Sequence, residues 1–394
     1  MTYLAYFNHY NIRQCTAQYL DAFYRCLENL PLDTKYIINN DYLKKYNNCW
    51  RWEVGKVEQR WGNYDELFKR IKAENMLIMK KPEELVNSTA PSEILYRTVN
   101  EVIPTQKETI LKAIEGNNIS AGVTWVNNAC FKETLEEFGI SVIHHELGPL
   151  RATTYISTAY MDFSGVNGNT EFNERFNEFL KIATEVPILS RKELLRIVSP
   201  ENYRRLWEIL ENRDYTYDIG VGLQVEVDTN LLLYNNGYNW MDPILQARGE
   251  TKKKVLVRPH PLAGFMMKSD GKLEIDDLKE NAVEFINKCK KIYCLNSSVG
   301  FEAMLLGREA KIFGDSPFRE MCNMNEDMKL KALNFAVFGY LIPMDLLFND
   351  TYYKFRLANR GNEKAIYLDN MKRLLRNEKV VHLDTARKFF EKTK

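Results

Sequence analysis

The sequence predicts an α/β fold of two Rossmann-like domains facing a central cleft. Three observations lead there: a length of 394 residues, two separate runs in which strand and helix patterns alternate, and polar residues gathered just after several of the strand patterns. A chain this long exceeds what one hydrophobic core usually serves. Alternation with short connections makes parallel sheets, and ligands of such sheets sit beyond the carboxyl ends of the strands.

The first run opens on an aromatic-rich strand pattern, Tyr3 to Tyr10, followed by an amphipathic helix from about Thr16 to Leu30. From Asn39 to Asn87 the text is charged and aromatic, with Trp50, Trp52 and Trp61, and its helical spacing reads as decoration or surface. Alternation then resumes as a helix over Glu93 to Gly116, a strand at Ala121 to Val126, a helix at Phe131 to Phe138 and a strand at Ile140 to His145. Small polar residues after Gly148, then charged helical stretches at Glu171 to Thr184 and Arg191 to Asn212, form the expected connection. The domains are accordingly 1–205 and 206–394. The second run reads strand Asp218 to Val227, helix near Trp240 to Ala247, strand Lys254 to Arg258, helix Asp276 to Cys289, strand Lys291 to Leu295, helix Val299 to Leu306 and strand Glu309 to Gly314.

Composition narrows the function. With 45% apolar and 27% charged residues the chain is an ordinary globular protein, and a formal net charge of +1 gives no overall field to attract nucleic acid. The seven cysteines are odd in number, scattered and never in a C-x-x-C pair, which argues against a disulfide framework or a zinc site and fits a reducing cytoplasm. The N-terminus lacks a basic and then apolar leader, and the most apolar later stretch, Phe335 to Phe348, is interrupted by Gly339, Pro343 and Asp345.

Four segments carry candidate chemistry. In NSSVGFEAMLLG, Asn296 to Gly307, a strand gives way to a helix at Ser297 and Ser298, so two hydroxyls and the free N–H groups of a first helical turn can meet a phosphate; an ordinary N-cap serine is the alternative. Glu302, one turn on, is either a solvated surface residue or an acceptor for ribose hydroxyls. In RPHP, Arg258 and His260 stand at the end of an apolar strand between prolines that fix the backbone, where an imidazole can donate to a phosphate oxygen or satisfy a turn carbonyl. In QVEVD, Asp228 ends a strand pattern and offers a nucleophile or base, or an Asx turn, with Glu226 on the same face. In HELGPLR, Glu146 and Arg151 follow a strand of the first domain, a place for a base acting on an acceptor hydroxyl or for a Gly-Pro turn with an exposed ion pair. His9, His144 and His382 stand alone and read as structural.

Taken in order from about Ile143 to Phe318, HELGPLR, QVEVD, RPHP and NSSVGFEAMLLG with FGDSPF resemble the bacterial retaining β-Kdo transferases. The likeness is nearest to the Kdo-transferase module of WbbB-type O-antigen chain terminators and more distant to KpsC-type capsule enzymes. His-Pro and Ser-Ser-x-Gly-x-Glu are shared widely among CMP-sugar transferases of the GT-B type. HELGPLR departs from the Glu-Asp-Gly-Phe-Leu-Arg pattern typical of the capsule enzymes.

The resemblance implies a GT-B-like fold and transfer of Kdo from CMP-β-Kdo to an O-antigen or capsule acceptor. A β-linked product from this donor requires net retention, most simply through two inversions and a covalent ester. On that scheme Asp228 is the nucleophile, His260 with Ser297 and Ser298 stabilises the departing CMP, Glu146 deprotonates the acceptor, Arg151 or Arg258 holds the Kdo carboxylate, and Gln224 and Glu302 complete the donor site. No metal or other cofactor is required, because a single leaving phosphate can be neutralised by a helix terminus, serines and a histidine. The expected partners are the nucleotide sugar, a lipid-linked oligosaccharide or polysaccharide acceptor and further glycosyltransferase modules; the expected location is cytoplasmic, including the periphery of the inner membrane. Two alternatives stand beside this: another GT-B transferase or epimerase using a CMP-sialic acid or UDP-sugar, and a non-catalytic polysaccharide-binding module.

Overall fold

The computed structural model describes residues 1–10, 17–44, 64–225, 227–261, 268–376 and 384–392. The fold is α/β, as the sequence predicts, and the chain separates into two compact units. The first comprises Met1–Leu147, Ser157–Glu171 and Ile342–Arg360; the second comprises Gly148–Ile156, Phe172–Leu341 and Gly361–Lys394. A single cut between 205 and 206 does not describe this division, because the chain passes from one unit to the other several times: Gly148–Ile156 joins the second unit early, and Ile342–Arg360 returns to the first.

The strands in chain order are β1 (Thr2–Phe7), β2 (Lys35–Ile38), β3 (Met76–Ile78), β4 (Ile119–Trp125), β5 (Val142–Leu147), β6 (Thr158–Asp162), β7 (Tyr217–Gly222), β8 (Val255–Arg258), β9 (Leu273–Ile275), β10 (Cys289–Cys294), β11 (Glu309–Ile312) and β12 (Leu341–Pro343). The first sheet has seven strands in the order β12-β6-β5-β4-β1-β2-β3. Its pairs from β5 to β3 are parallel, and β6 runs antiparallel to β5. Leu4, Ile37, Ile110, Phe131, Leu135 and Val142 form a core cluster of this unit. The second sheet, β11-β10-β7-β8-β9, is parallel throughout. Val221, Val257, Tyr293, Leu295 and Phe313 pack in its core with Leu231 and Ile244 from helices. In each sheet the strand order reverses beside the first strand, between β1 and β4 and between β7 and β10, the points at which open α/β sheets leave a crevice.

Several expected elements divide or shift. The helix anticipated over Glu93 to Gly116 is two helices, Pro91–Asn100 and Pro104–Ile114, since Pro104 cannot continue the first but suits the opening turn of the second. Arg191–Val198 and Tyr203–Glu211 are likewise separate around Pro200. Five short strands, β2, β3, β6, β9 and β12, have no counterpart in the sequence patterns; β3 lies inside the stretch that reads as helical decoration, and three to five residues are too few to show a period. Trp50, Trp52, Trp61, Glu226 and His382 lie outside the described residues.

Cys26, Cys130, Cys289 and Cys294 are buried free thiols, and Cys322 is a partly exposed one. Among the described residues no helix is long and apolar enough to cross a membrane.

Candidate functional site

The second sheet gathers most of the candidate residues at its carboxyl edge, and the way the chain leaves each strand decides their geometry. β7 ends at Gly222, earlier than the pattern predicts, and Asp228 therefore lies six positions beyond the strand. Leu223 still donates its N–H to the Arg258 carbonyl at 2.9 Å. The ladder goes no further, and the next side chain turns to the neighbouring strand end: Gln224 Nε2 donates to Asn296 Oδ1 at 2.9 Å, and the Asn296 backbone N–H donates to Gln224 Oε1 at 3.2 Å. Asn296 also donates its side-chain amide to the carbonyls of Asn230 and Tyr234, each at 3.0 Å. One asparagine thus ties the turn after β10 to the loop after β7. The sequence reading passed over it; its signal was an amide directly before a serine pair at a strand end.

Asp228 is the N-cap of the short helix Thr229–Leu233, and its side chain accepts from the Asn230 N–H at 3.0 Å. The Asx-turn alternative describes its backbone role, while partial exposure keeps its carboxylate within reach of a ligand. Ser297 is the N-cap of Ser298–Leu305 and accepts from the Val299 N–H at 3.4 Å. This helix approaches the sheet closely. A Cβ on Gly300 would lie 2.9 Å from Ile312 Cγ1 and 3.0 Å from Cys294 Sγ, and one on Gly222 would lie 2.8 Å from Val299 Cγ1. Gly300 therefore serves packing, which seats the first turn of the helix over the end of β10.

Glu302 is not the solvated surface residue of the bland alternative; it is 9% exposed. Burial pushes its carboxyl up to about 7, opposed by the positive charges of Arg151 and Arg258 and by the hydroxyls of Ser298 and Tyr155. Ser298 Oγ donates to Glu302 Oε1 at 3.5 Å. Arg258, at the end of β8, is largely occupied by the protein itself: Nη1 is paired with Asp276, and Nη2 donates to the Glu280 carbonyl at 2.8 Å. Arg151 is exposed and donates Nε to the Gly148 carbonyl at 3.1 Å, so of the two arginines it has the more accessible guanidinium. It belongs to the second unit, with Glu302, whereas the sequence reading assigned it to the first domain. Tyr155, which the sequence reading did not single out, comes with it. His260 lies in the turn after β8, partly exposed.

In the first unit, Glu146 is the penultimate residue of β5, opposite Tyr160 of β6, and its Oε1 accepts from the Leu147 N–H at 2.8 Å. Its neighbour His145 is fully buried, with Nδ1 facing the Tyr160 carbonyl at 2.9 Å and Nε2 facing the Tyr353 hydroxyl at 2.6 Å. That arrangement makes Nδ1 the donor and Nε2 the acceptor of a neutral ring, which burial holds down to about 4. His144 and His9 are also buried and held down to about 3. Among the described residues no group of three or more His, Cys, Asp or Glu side chains is arranged to hold a metal ion.

The arrangement in the second unit brings Arg151, Tyr155, Arg258, Ser298 and Glu302 together, with Gln224 and Asn296 bracing the adjoining turns. A helix N-terminus, hydroxyls and guanidinium groups suit an anionic ligand, and a buried carboxylate suits a hydroxyl-bearing one.

Residues 5–171 match the family model of the Glycosyltransferase 99 family N-terminal domain. Residues 247–333 match that of the capsule polysaccharide biosynthesis protein family. The first of these supports glycosyltransferase activity. A comparison with curated proteins finds no match. Among solved structures, the β-Kdo 2,7 transferase of Thermosulfurimonas dismutans KpsC is 15% identical, with a TM-score of 0.39 over 63% of this chain and 90% of that one. The β-Kdo 2,4 transferase of the same protein is 16% identical, with a TM-score of 0.37 over 55% and 79%. The UDP-GlcNAc 2-epimerase of Neisseria meningitidis is 12% identical, with a TM-score of 0.31 over 100% and 99%.

Proposed function

We propose that this glycosyltransferase moves Kdo from CMP-β-Kdo to a bacterial surface-polysaccharide acceptor with retention of configuration. The observation that carries the reading is the match of residues 5–171 to a glycosyltransferase family domain. The cluster of Ser298, Glu302, Arg151 and Arg258 in the second unit supports an anionic, hydroxyl-bearing donor.

In the proposed first step the Asp228 carboxylate forms a bond to the anomeric carbon as the bond from that carbon to the CMP phosphate oxygen breaks, the electron pair leaving with CMP. Its cap bond to Asn230 orients the carboxylate. Ser297, Ser298, the first turn of their helix and His260 stabilise the phosphate; Gln224 and Glu302 hold the rest of the nucleotide, and Arg151 pairs with the sugar carboxylate. Arg258, engaged by Asp276, adds positive charge more than a free fork. In the second step Glu146 takes the proton of the acceptor hydroxyl, whose oxygen bonds to the anomeric carbon as the Asp228 ester breaks. Two inversions leave the configuration retained. The acceptor is a lipid-linked oligosaccharide or polysaccharide met at the cytoplasmic face of the inner membrane.

A donor panel tests this. Turnover with CMP-Kdo, and none with CMP-sialic acid, UDP-GlcNAc or UDP-glucose, is the expected result; release of nucleotide from one of the others alone would contradict it.

A further inference from the structure

The segment Gly148–Ile156 is anchored on the second unit. Ile156 donates its N–H to the Val198 carbonyl at 2.7 Å, and Asn202 Nδ2 donates to the carbonyls of Thr153 and Thr154, each at 3.1 Å. The Ser199 hydroxyl donates to the Thr154 carbonyl as well. So held, the segment turns Tyr155 inward: the residue is 5% exposed, and its buried hydroxyl completes no hydrogen bond of ordinary geometry. Its neighbour is the Glu302 carboxylate, close enough that each group shifts the other's protonation. Ser298 donates a long bond to that carboxylate, at 3.5 Å. The charged groups acting on it are Arg151 and Arg258, the latter paired with Asp276.

A buried hydroxyl without a bond of ordinary geometry is unusual, because nearly all such groups in folded proteins are partnered, and here it stands beside a carboxylate that accepts a long bond from Ser298. The apposition lies one turn into the helix whose first turn carries Ser297 and Ser298, at the carboxyl edge of the parallel sheet. A carboxylate has more acceptor capacity than Ser298 uses, and a pair of neighbouring sugar hydroxyls would supply two donors without adding charge.

We propose that Tyr155 is a positioning residue of the donor site: its hydroxyl bonds to the Glu302 carboxylate in the nucleotide complex and aims that carboxylate at a vicinal hydroxyl pair of the nucleotide. The inference rests on the donor-site reading above. It adds to that site a second residue of the segment after β5, beside Arg151. With the tyrosine donor present the carboxylate is held ionised and oriented; without it, protonation reaches to higher pH and hydroxyl recognition weakens.

The test measures CMP affinity by calorimetry from pH 5.5 to 8.5 for wild type, Tyr155→Phe, Glu302→Gln and the double variant, with thermal melting as a check on folding. Tyr155→Phe is expected to weaken CMP binding about three- to tenfold, the loss of one hydrogen bond to a charged group, and to move the pH midpoint of binding upward. Glu302→Gln is expected to abolish the pH dependence, and adding Tyr155→Phe to it to change nothing further. A folded Tyr155→Phe protein with wild-type affinity and midpoint, or an equal loss on the Glu302→Gln background, overturns the inference alone. Failure of the wild type to bind CMP overturns the functional reading on which it rests.

Discussion

Gln224 and Asn296 exchange two hydrogen bonds, at 2.9 and 3.2 Å, across the point where the strand order of the second sheet reverses. Asn296 spends its remaining amide donors on the Asn230 and Tyr234 carbonyls. Replacing it by alanine leaves those acceptors and the Gln224 amide to find other partners. Asn296→Ala is expected to destabilise the protein by about 2 to 3 kcal/mol and to weaken donor binding, checked by denaturant unfolding and CMP titration.

Asp228 combines a cap with a proposed nucleophile, and asparagine separates the two. An asparagine accepts the same Asn230 N–H and caps as well as aspartate does, but its amide cannot form the sugar ester. Asp228→Asn is expected to melt within about 1 °C of wild type while turnover falls ~10³-fold or more, measured by CMP release with acceptor present.

Gly300 has no room for a methyl group against Ile312 and Cys294. Gly300→Ala is expected to lower stability by about 1 to 3 kcal/mol through overpacking. A variant of unchanged melting temperature would show that the helix can withdraw from the sheet without loss.

Glu302 titrates at about 7 in the folded protein, above the ordinary glutamate value near 4.5. The unfolded chain then binds fewer protons than the native state between these pH values, so this group's contribution is fully present below pH 4.5 and is lost as pH rises through 7. Glu302→Gln removes the effect. The variant is expected to match wild type near pH 4.5 and to exceed it above pH 7 by on the order of 3 kcal/mol, read from urea midpoints across the pH range.

The buried histidines act in the opposite sense. His9, His144 and His145 are held neutral, down to about 3 or 4 against an ordinary 6.5. The stability they allow is complete above pH 6.5 and falls as the pH drops toward their folded values, because the unfolded chain takes up the protons first. Three groups outweigh one, so net stability is expected to decline steadily below pH 6, and replacing His145 with glutamine is expected to soften that decline.

Much of the architecture was legible because long periodic segments report themselves: β4, β7, β8 and β10 and the helix after β10 lie within a few residues of their patterns. Short elements did not, since β3 and β9 owe their existence to the neighbouring strands and not to their own three residues. The candidate site is legible as motifs at strand ends, which point to Ser297, Ser298 and Arg258. What fixes those motifs was not: Asp276 is eighteen positions from Arg258, and Gln224 is seventy-two from Asn296, separations no local pattern records. Tyr155 was invisible for the same reason, since its neighbour Glu302 lies on a helix distant in sequence and its segment belongs to the second unit.

The proposed mechanism requires a covalent Kdo ester at Asp228. Intact mass spectrometry after incubation with CMP-Kdo and no acceptor addresses it directly. Wild type is expected to gain one Kdo unit and Asp228→Asn none, with the label mapping to the peptide that contains Asp228; an unlabelled wild type that nonetheless transfers Kdo, or equal labelling of both proteins, would contradict it.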